Sequence, residues 1–196
     1  MASPLTPDQE RALRTYEELL LDRALPLGLI APSDAERLGE RHIRDSLRAA
    51  TLLRESDHAL ADIGPGAGLP GLVLAIARPG LHIALVEPKE RAVGFLELAV
   101  DRLELSNVEI LATRVEDVDL SADVATTRAY GPLERSWAAA CGVLRPGGRL
   151  IYFAGEGLED PQRTAESLTE PESAGHVEVM RLADSSPLVI MTREPT

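Results

Sequence analysis

The residues best placed by type and spacing to do chemistry form the loop Asp62-Ile-Gly64-Pro-Gly66-Ala-Gly68-Leu-Pro-Gly71, which follows a short apolar run and opens a helical one. Glycines there let a ligand approach the backbone closely and leave helix N-terminal N–H groups pointing at it. The spacing selects among ligands. A dinucleotide fingerprint G-x-G-x-x-G begun at Gly64 requires glycine at 69, where this chain has Leu69. A phosphate-cradling Walker loop requires Gly-Lys-Ser/Thr, and that is absent. Glu87 closes the next apolar run, 23 residues after Gly64. A carboxylate in that place can accept both hydroxyls of a ribose in a bidentate contact.

What remains is acidic-x-Gly-x-Gly-x-Gly, the loop pattern of S-adenosylmethionine (SAM) methyltransferases, with Gly64, Gly66 and Gly68 at the cofactor and Glu87 on its ribose. The third apolar run is followed by Arg114-Val115-Glu116-Asp117, where such a fold reads adenine through an acid and backbone N–H groups. After the fourth comes Thr127-Arg-Ala-Tyr-Gly-Pro132. Its Arg128 can reach an acceptor base or pin the methionine carboxylate of the cofactor. Methyl transfer from a sulfonium is an in-line displacement driven mainly by alignment. The segment holds neither Asn-Pro-Pro-Tyr, which serves exocyclic amines, nor the Pro-Cys nucleophile used on pyrimidine carbon. An acceptor with a lone pair and no proton needs no general base, and no side chain is assigned a catalytic role. Cys141 and Trp137 lie in a helical pattern and read as core residues. No metal site is expected.

Several elements must position these groups. Residues 9–24 carry Leu13, Tyr16, Leu19 and Leu20 at helical spacing, and Pro26-Leu-Gly28 ends the pattern. Ser33-Asp-Ala-Glu36 reads as a capping box opening a helix through about Glu55. On that helix Arg37, Arg41, Arg44 and Arg48 step by 4, 3 and 4 residues, which puts them within about 60° on one face. The stripe is a candidate RNA phosphate track or a solvated, salt-bridged face. His42, Asp45 and Ser46 fall elsewhere on the same helix, and His42 reads equally as a structural residue or a substrate contact. Short β-type runs at Ala59–Ile63, Ile83–Glu87, Val108–Ala112, Asp123–Thr127 and Arg149–Ala154 alternate with helical stretches near 70–78, 90–104 and 133–143. Alternation with continuous apolar strands indicates a parallel sheet covered on both faces. A helix near 159–170 precedes Val177–Leu182 and Leu188–Thr192, joined too tightly for a parallel crossover and so expected to pair antiparallel. The expected fold is α/β, with a Rossmann-like seven-stranded sheet, a terminal antiparallel hairpin and an N-terminal helical extension. Residues 1–196 are read as one domain, with 1–56 the extension and 57–196 the SAM-binding core.

Composition narrows the function classes. The chain has 196 residues, of which 44% are apolar and 27% charged, the balance of a globular protein. Its net charge of −12 excludes unselective charge-driven nucleic-acid binding but allows a local basic patch. The single cysteine excludes an internal disulfide and, with the acidic-polar N-terminus and no long apolar run, makes a cytoplasmic, membrane-free protein the expectation. A monomer is expected.

Six collinear segments, Glu40-Arg-His-Ile-Arg-Asp-Ser-Leu47, Asp62–Gly71, Arg91–Leu96, Arg114-Val-Glu116, Thr127-Arg-Ala129 and Pro146-Gly-Gly-Arg-Leu150, together resemble the ribosomal small-subunit RNA guanine-N7 methyltransferase family, also called glucose-inhibited division protein B. The Arg-His-x-x-Asp-Ser segment discriminates, because generic methyltransferases lack it upstream of the glycine loop. The resemblance implies a class I methyltransferase fold, SAM as cofactor, and a guanine N7 of small-subunit rRNA, naked or in a ribosomal particle, as acceptor. It also implies SAM contacts at Gly64, Leu69, Val115, Glu116 and Arg128. The chain departs from the family at Leu27-Gly-Leu-Ile-Ala31, where an Asn-Leu-Thr motif is usual, and at Ala154-Gly155, where Lys-Gly is usual. The alternatives are a small-molecule SAM methyltransferase and a non-catalytic SAM- or RNA-binding relative. An oxidoreductase is disfavoured by Leu69.

Overall fold

The computed structural model describes residues 4–155, 158, 160–168, 176–180 and 187–194, with the side chains at 36, 37, 40, 41 and 166 outside the description. Helix α1 spans Pro7–Leu19. It starts at a true capping box, in which Thr6 Oγ1 accepts from Gln9 N and Gln9 Oε1 accepts from Thr6 N. A π-helical turn, Leu20–Ala24, continues it.

The single helix expected from Ser33 to Glu55 is not formed. Pro32–Arg37 is a 3₁₀ segment, Leu38–Ile43 a π-helical turn, and only Arg44–Ala50 is α-helical (α2). Pro32, with its fixed φ, takes the first position after an extended Ala31, so Ser33 lies inside the turn and makes no cap. A 3₁₀ turn rotates by about 120° per residue and a π turn by much less, so the even angular stepping behind the arginine stripe does not apply.

The core alternates β1 (Ala59–Ile63), α3 (Gly71–Ala77), β2 (His82–Val86), α4 (Glu90–Arg102), β3 (Val108–Leu111), β4 (Ala122–Arg128), α5 (Leu133–Val143) and β5 (Leu144–Phe153). Then follow α6 (Pro161–Ser167), β6 (His176–Met180) and β7 (Leu188–Thr192). The sheet runs β3-β2-β1-β4-β5-β7-β6. Strands β1 to β5 are parallel, while β7 is antiparallel to both β5 and β6. Order reverses between β1 and β4, and the crevice beyond the carboxyl ends of those strands is where open α/β sheets bind ligands.

Two apolar clusters cover the sheet. One joins Leu13, Tyr16 and Leu20 of the extension to Leu72 and Leu74 of α3 and Phe95 of α4, and the other gathers Leu133, Trp137 and Ala140 of α5 with Leu150 and Val189. Polar clamps fasten the extension to the core. Gln9 Nε2 donates to the carbonyls of Ile76 and Ala77 at 2.9 and 3.2 Å, closing the C-terminus of α3. Arg149 of β5 donates to Asp57 Oδ2 at 2.6 Å and to the Leu52 carbonyl at 2.9 Å, with both ionic partners buried.

Candidate cofactor-binding and methyl-transfer site

Asp62, the last residue but one of β1, is fully buried and fastens the glycine loop from below. Its Oδ2 accepts from Gly71 N at 2.7 Å and its Oδ1 from Thr126 Oγ1 at 2.9 Å. Burial outweighs those hydrogen bonds and pushes its carboxyl up to about 7. Above it, Gly64, Gly66 and Gly68 have φ of 67°, 56° and 93°, the left-handed region that a side chain strains to reach. At Gly64 a Cβ would meet the Tyr130 ring at 2.8 Å, whereas at Gly66 it would meet nothing within 4 Å. The loop backbone at Gly66 therefore faces open space.

Glu87, directly after β2, is 4% exposed. Its Oε2 accepts from Gly66 N at 3.1 Å and its Oε1 from Lys89 N at 3.0 Å. One carboxylate thus ties the glycine loop to the end of β2, and each oxygen keeps a lone pair for a further donor. Beside it lies an open cleft of about 320 Å³ with Ile63, Val86, Pro88 and Val115 as apolar wall and Arg114, Glu116, Tyr130 and Arg135 around them. Val115 is buried, Glu116 is exposed at the rim, and Leu69 packs into the core beneath the loop.

Arg128 ends β4 and points to the extension. Its Nη2 lies 2.8 Å from His42 Nδ1, its Nη1 donates to the His42 carbonyl at 3.4 Å and pairs with Asp45 Oδ2 at 3.4 Å, and the Phe153 ring lies beneath it at 5.4 Å. Arg48 pairs with Asp45 from the other side, and the two side chains are only 10% and 14% exposed. Ser46 is fully buried, with its hydroxyl on the His42 carbonyl. Arg44 alone of the described arginines from the expected stripe is exposed, and the side chains of Arg37 and Arg41 lie outside the described residues. Arg44 and Arg48 thus do not share an exposed face. Ser46 is buried and Asp45 and Arg48 are half-buried, with Asp45 turned to Arg128 of β4.

Three residues take places around the site that the sequence reading did not assign to them. The fully buried Tyr16 donates its hydroxyl to the Ala67 carbonyl of the glycine loop at 2.6 Å, a contact 51 residues distant in sequence. Tyr130 covers Gly64 and carries the Arg135 guanidinium at 4.9 Å from its ring centroid. Thr127 Oγ1 is buried with no hydrogen-bond partner among the described residues. Trp137 is a core residue as expected. Cys141 is half-buried in α5, and burial raises its thiol above the ordinary range. No group of three or more metal-ligating side chains occurs among the described residues.

Residues 9–189 match the family described as rRNA small subunit methyltransferase G. This chain belongs to that family. It is 39% identical over 171 residues to the Ribosomal RNA small subunit methyltransferase G of Clavibacter sepedonicus, covering 86% of this chain and 80% of that protein. The protein of the same name from Acidothermus cellulolyticus is 38% identical over 184 residues, covering 87% and 82%. Among solved structures, a SAM-dependent O-methyltransferase from Thermotoga maritima superposes with a TM-score of 0.66 at 18% identity, covering 83% of this chain and 71% of that one. M. jannaschii TYW2 in complex with AdoMet gives a TM-score of 0.62 at 18% identity over 79% and 76%. These likenesses establish the class I methyltransferase fold. As a member of the methyltransferase G family the chain is a SAM-dependent methyltransferase, and the site fits that cofactor: an open glycine backbone at Gly66, a buried carboxylate at Glu87, and an apolar slot beside Val115.

Proposed function

We propose that the protein transfers the methyl group of SAM to N7 of a guanine in small-subunit rRNA, acting in the cytoplasm as a monomer. The observation that carries the cofactor assignment is the Glu87 bridge to Gly66 N, which places a carboxylate acceptor against the loop that faces open space. Glu87 takes the ribose hydroxyls, Gly64, Gly66, Gly68 and Leu69 supply the surrounding backbone, and Val115 with Glu116 borders the adenine. Arg128 stands at the carboxyl end of β4 and faces the methionine carboxylate or the acceptor base. SAM supplies an electrophilic methyl, and the chain's part is to align the acceptor with it.

An acceptor without a proton agrees with the groups at the end of β4. Among the described residues Asp45 pairs with Arg128, and it is held in ion pairs with both Arg48 and Arg128. It is not free to act as a base, and N7 needs none. Exposed Arg44 meets RNA phosphate in this reading, Arg41 precedes it on the same segment, and His42, Asp45, Ser46 and Arg48 shape the surface from within. The departure at Ala154, where lysine is usual, does not open the site, since Ala154 is buried and donates its N–H to the Pro187 carbonyl at 3.0 Å.

The test is radiolabel transfer from SAM to purified small-subunit particles and to naked rRNA, with mass mapping of the product nucleoside. The expected product is 7-methylguanine in rRNA. Glu87→Ala removes two charge-assisted hydrogen bonds and should weaken SAM binding about tenfold or more by calorimetry. Transfer to a small molecule but to neither RNA substrate would defeat the rRNA reading, and unchanged SAM affinity in Glu87→Ala would defeat the pocket.

A further inference from the structure

The contact between Arg128 and His42 fixes a protonation state. Arginine is protonated at every usable pH and has only donors. At 2.8 Å from Arg128 Nη2, His42 Nδ1 must therefore accept, which leaves the imidazole neutral with its proton on Nε2. That second nitrogen lies 3.4 Å from Asp34 Oδ2. The chain of contacts runs from the 3₁₀ segment through the π-helical turn to the end of β4, joining the Arg-His-x-x-Asp-Ser segment to the site.

We propose that His42 is a positioning residue for Arg128: as a neutral imidazole accepting at Nδ1, it holds the guanidinium at the carboxyl end of β4 in the pose used for cofactor or acceptor. The inference rests on the reading that Arg128 faces one of those two. Protonation of His42 would set an N–H against the guanidinium and release Arg128. Among the described residues, the charged groups around His42 are Arg128 from β4, Asp34 from the 3₁₀ segment, Asp45 and Arg48 from α2, and Glu17 from α1, whose carboxylate lies against Gly39. The carboxylates favour the protonated ring and the guanidinia oppose it.

The experiment measures SAM affinity and single-turnover methyl transfer to small-subunit particles from pH 5.5 to 8.5 (a window of about three units around the imidazole range) for wild type, His42→Leu, His42→Asn, Arg128→Gln and the His42→Leu/Arg128→Gln double variant. His42→Leu should lose about tenfold in affinity or rate at pH 8, as Arg128→Gln does, and the double variant should lose no more than either. His42→Asn, whose amide oxygen stands where Nδ1 stood, should recover most of that loss and abolish the decline that wild type shows toward acid pH. A general base would behave oppositely, since its replacement lowers the plateau itself. Losses that add in the double variant, or an acid decline that persists in His42→Asn, would overturn the proposal. If His42→Leu fails to fold, the His42→Asn pH profile decides alone. An unaltered His42→Leu beside a tenfold-weaker Arg128→Gln overturns the positioning role only, whereas an unaltered Arg128→Gln overturns the assignment of Arg128 and this inference with it.

Discussion

At the scale of single residues, the site is governed by where carboxylates are buried and what they accept. Glu87 and Asp62 both serve the glycine loop, yet differ in partners: Glu87 accepts from Gly66 N and Lys89 N, and Asp62 from Gly71 N and Thr126 Oγ1. The buried Asp62 has a folded pKa of about 7 against an ordinary 3.8, so its protonated form is the one the fold favours. Its contribution to stability is present in full below the unfolded value and is lost as pH rises through the folded one. Asp62→Asn cannot titrate there. The difference in unfolding free energy between wild type and Asp62→Asn should therefore shift against wild type as pH rises from about 4 to 7. Denaturant unfolding at several pH values measures it, and a gap that stays constant or moves in wild type's favour would show that the carboxyl is not raised. The sequence revealed Asp62 as part of a motif through its spacing to the glycines. It could not reveal the titration, which depends on Thr126 of β4 and on complete burial.

At the scale of elements, the strands and core helices were legible because their signals are local. Ala59–Ile63 and Leu188–Thr192 form as read, and the continuous apolar runs became parallel strands. The helical extension was less legible. Its apolar spacing placed α1 correctly, but the capping box read at Ser33 lost to Pro32, and the true box at Thr6 and Gln9 went unnoticed. Long-range pairings such as Tyr16 with Ala67 or Arg149 with Asp57 leave no periodic trace. The Tyr16 pairing makes α1 a support of the glycine loop. Burial drives the Tyr16 hydroxyl far above its ordinary range, so it stays a donor to the loop at all working pH values. Tyr16→Phe leaves the Ala67 carbonyl unpaired inside the core and should cost about 1–2 kcal/mol of stability. In the proposed site the loop it anchors faces SAM, so the rise in melting temperature on adding SAM should shrink in Tyr16→Phe. Gln9→Ala, which unfastens only the far end of α3, should lower the melting temperature and leave the SAM-induced rise intact. Equal SAM-induced rises in both variants would mean that α1 is scaffold alone.

At the scale of the whole molecule, a −12 protein must meet a polyanion through few, well-placed contacts. The mouth of the cleft does not supply a basic field. Exposed Lys89, Arg91, Arg114 and Arg135 sit around the carboxyl edge of the sheet, but exposed Glu90, Glu116, Asp117 and Glu134 alternate with them. Affinity for RNA should accordingly depend weakly on salt, and individual arginines should be separable in that dependence. Each phosphate neutralised contributes roughly 0.7–0.9 to the slope of log affinity against log salt. Arg44→Gln, at an exposed position of α2, should flatten the slope by about that amount and leave stability nearly unchanged. Arg48→Gln should do the reverse, because Arg48 is turned inward onto Asp45. It should cost about 2 kcal/mol of stability and leave the slope alone. An even stripe of arginines on one helical face would flatten the slope equally at both positions. Titrating small-subunit particles with each variant at several salt concentrations, beside denaturant unfolding, separates the two arrangements. Equal flattening by Arg44→Gln and Arg48→Gln would mean that α2 reorients when RNA binds, with Arg48 leaving Asp45 for phosphate.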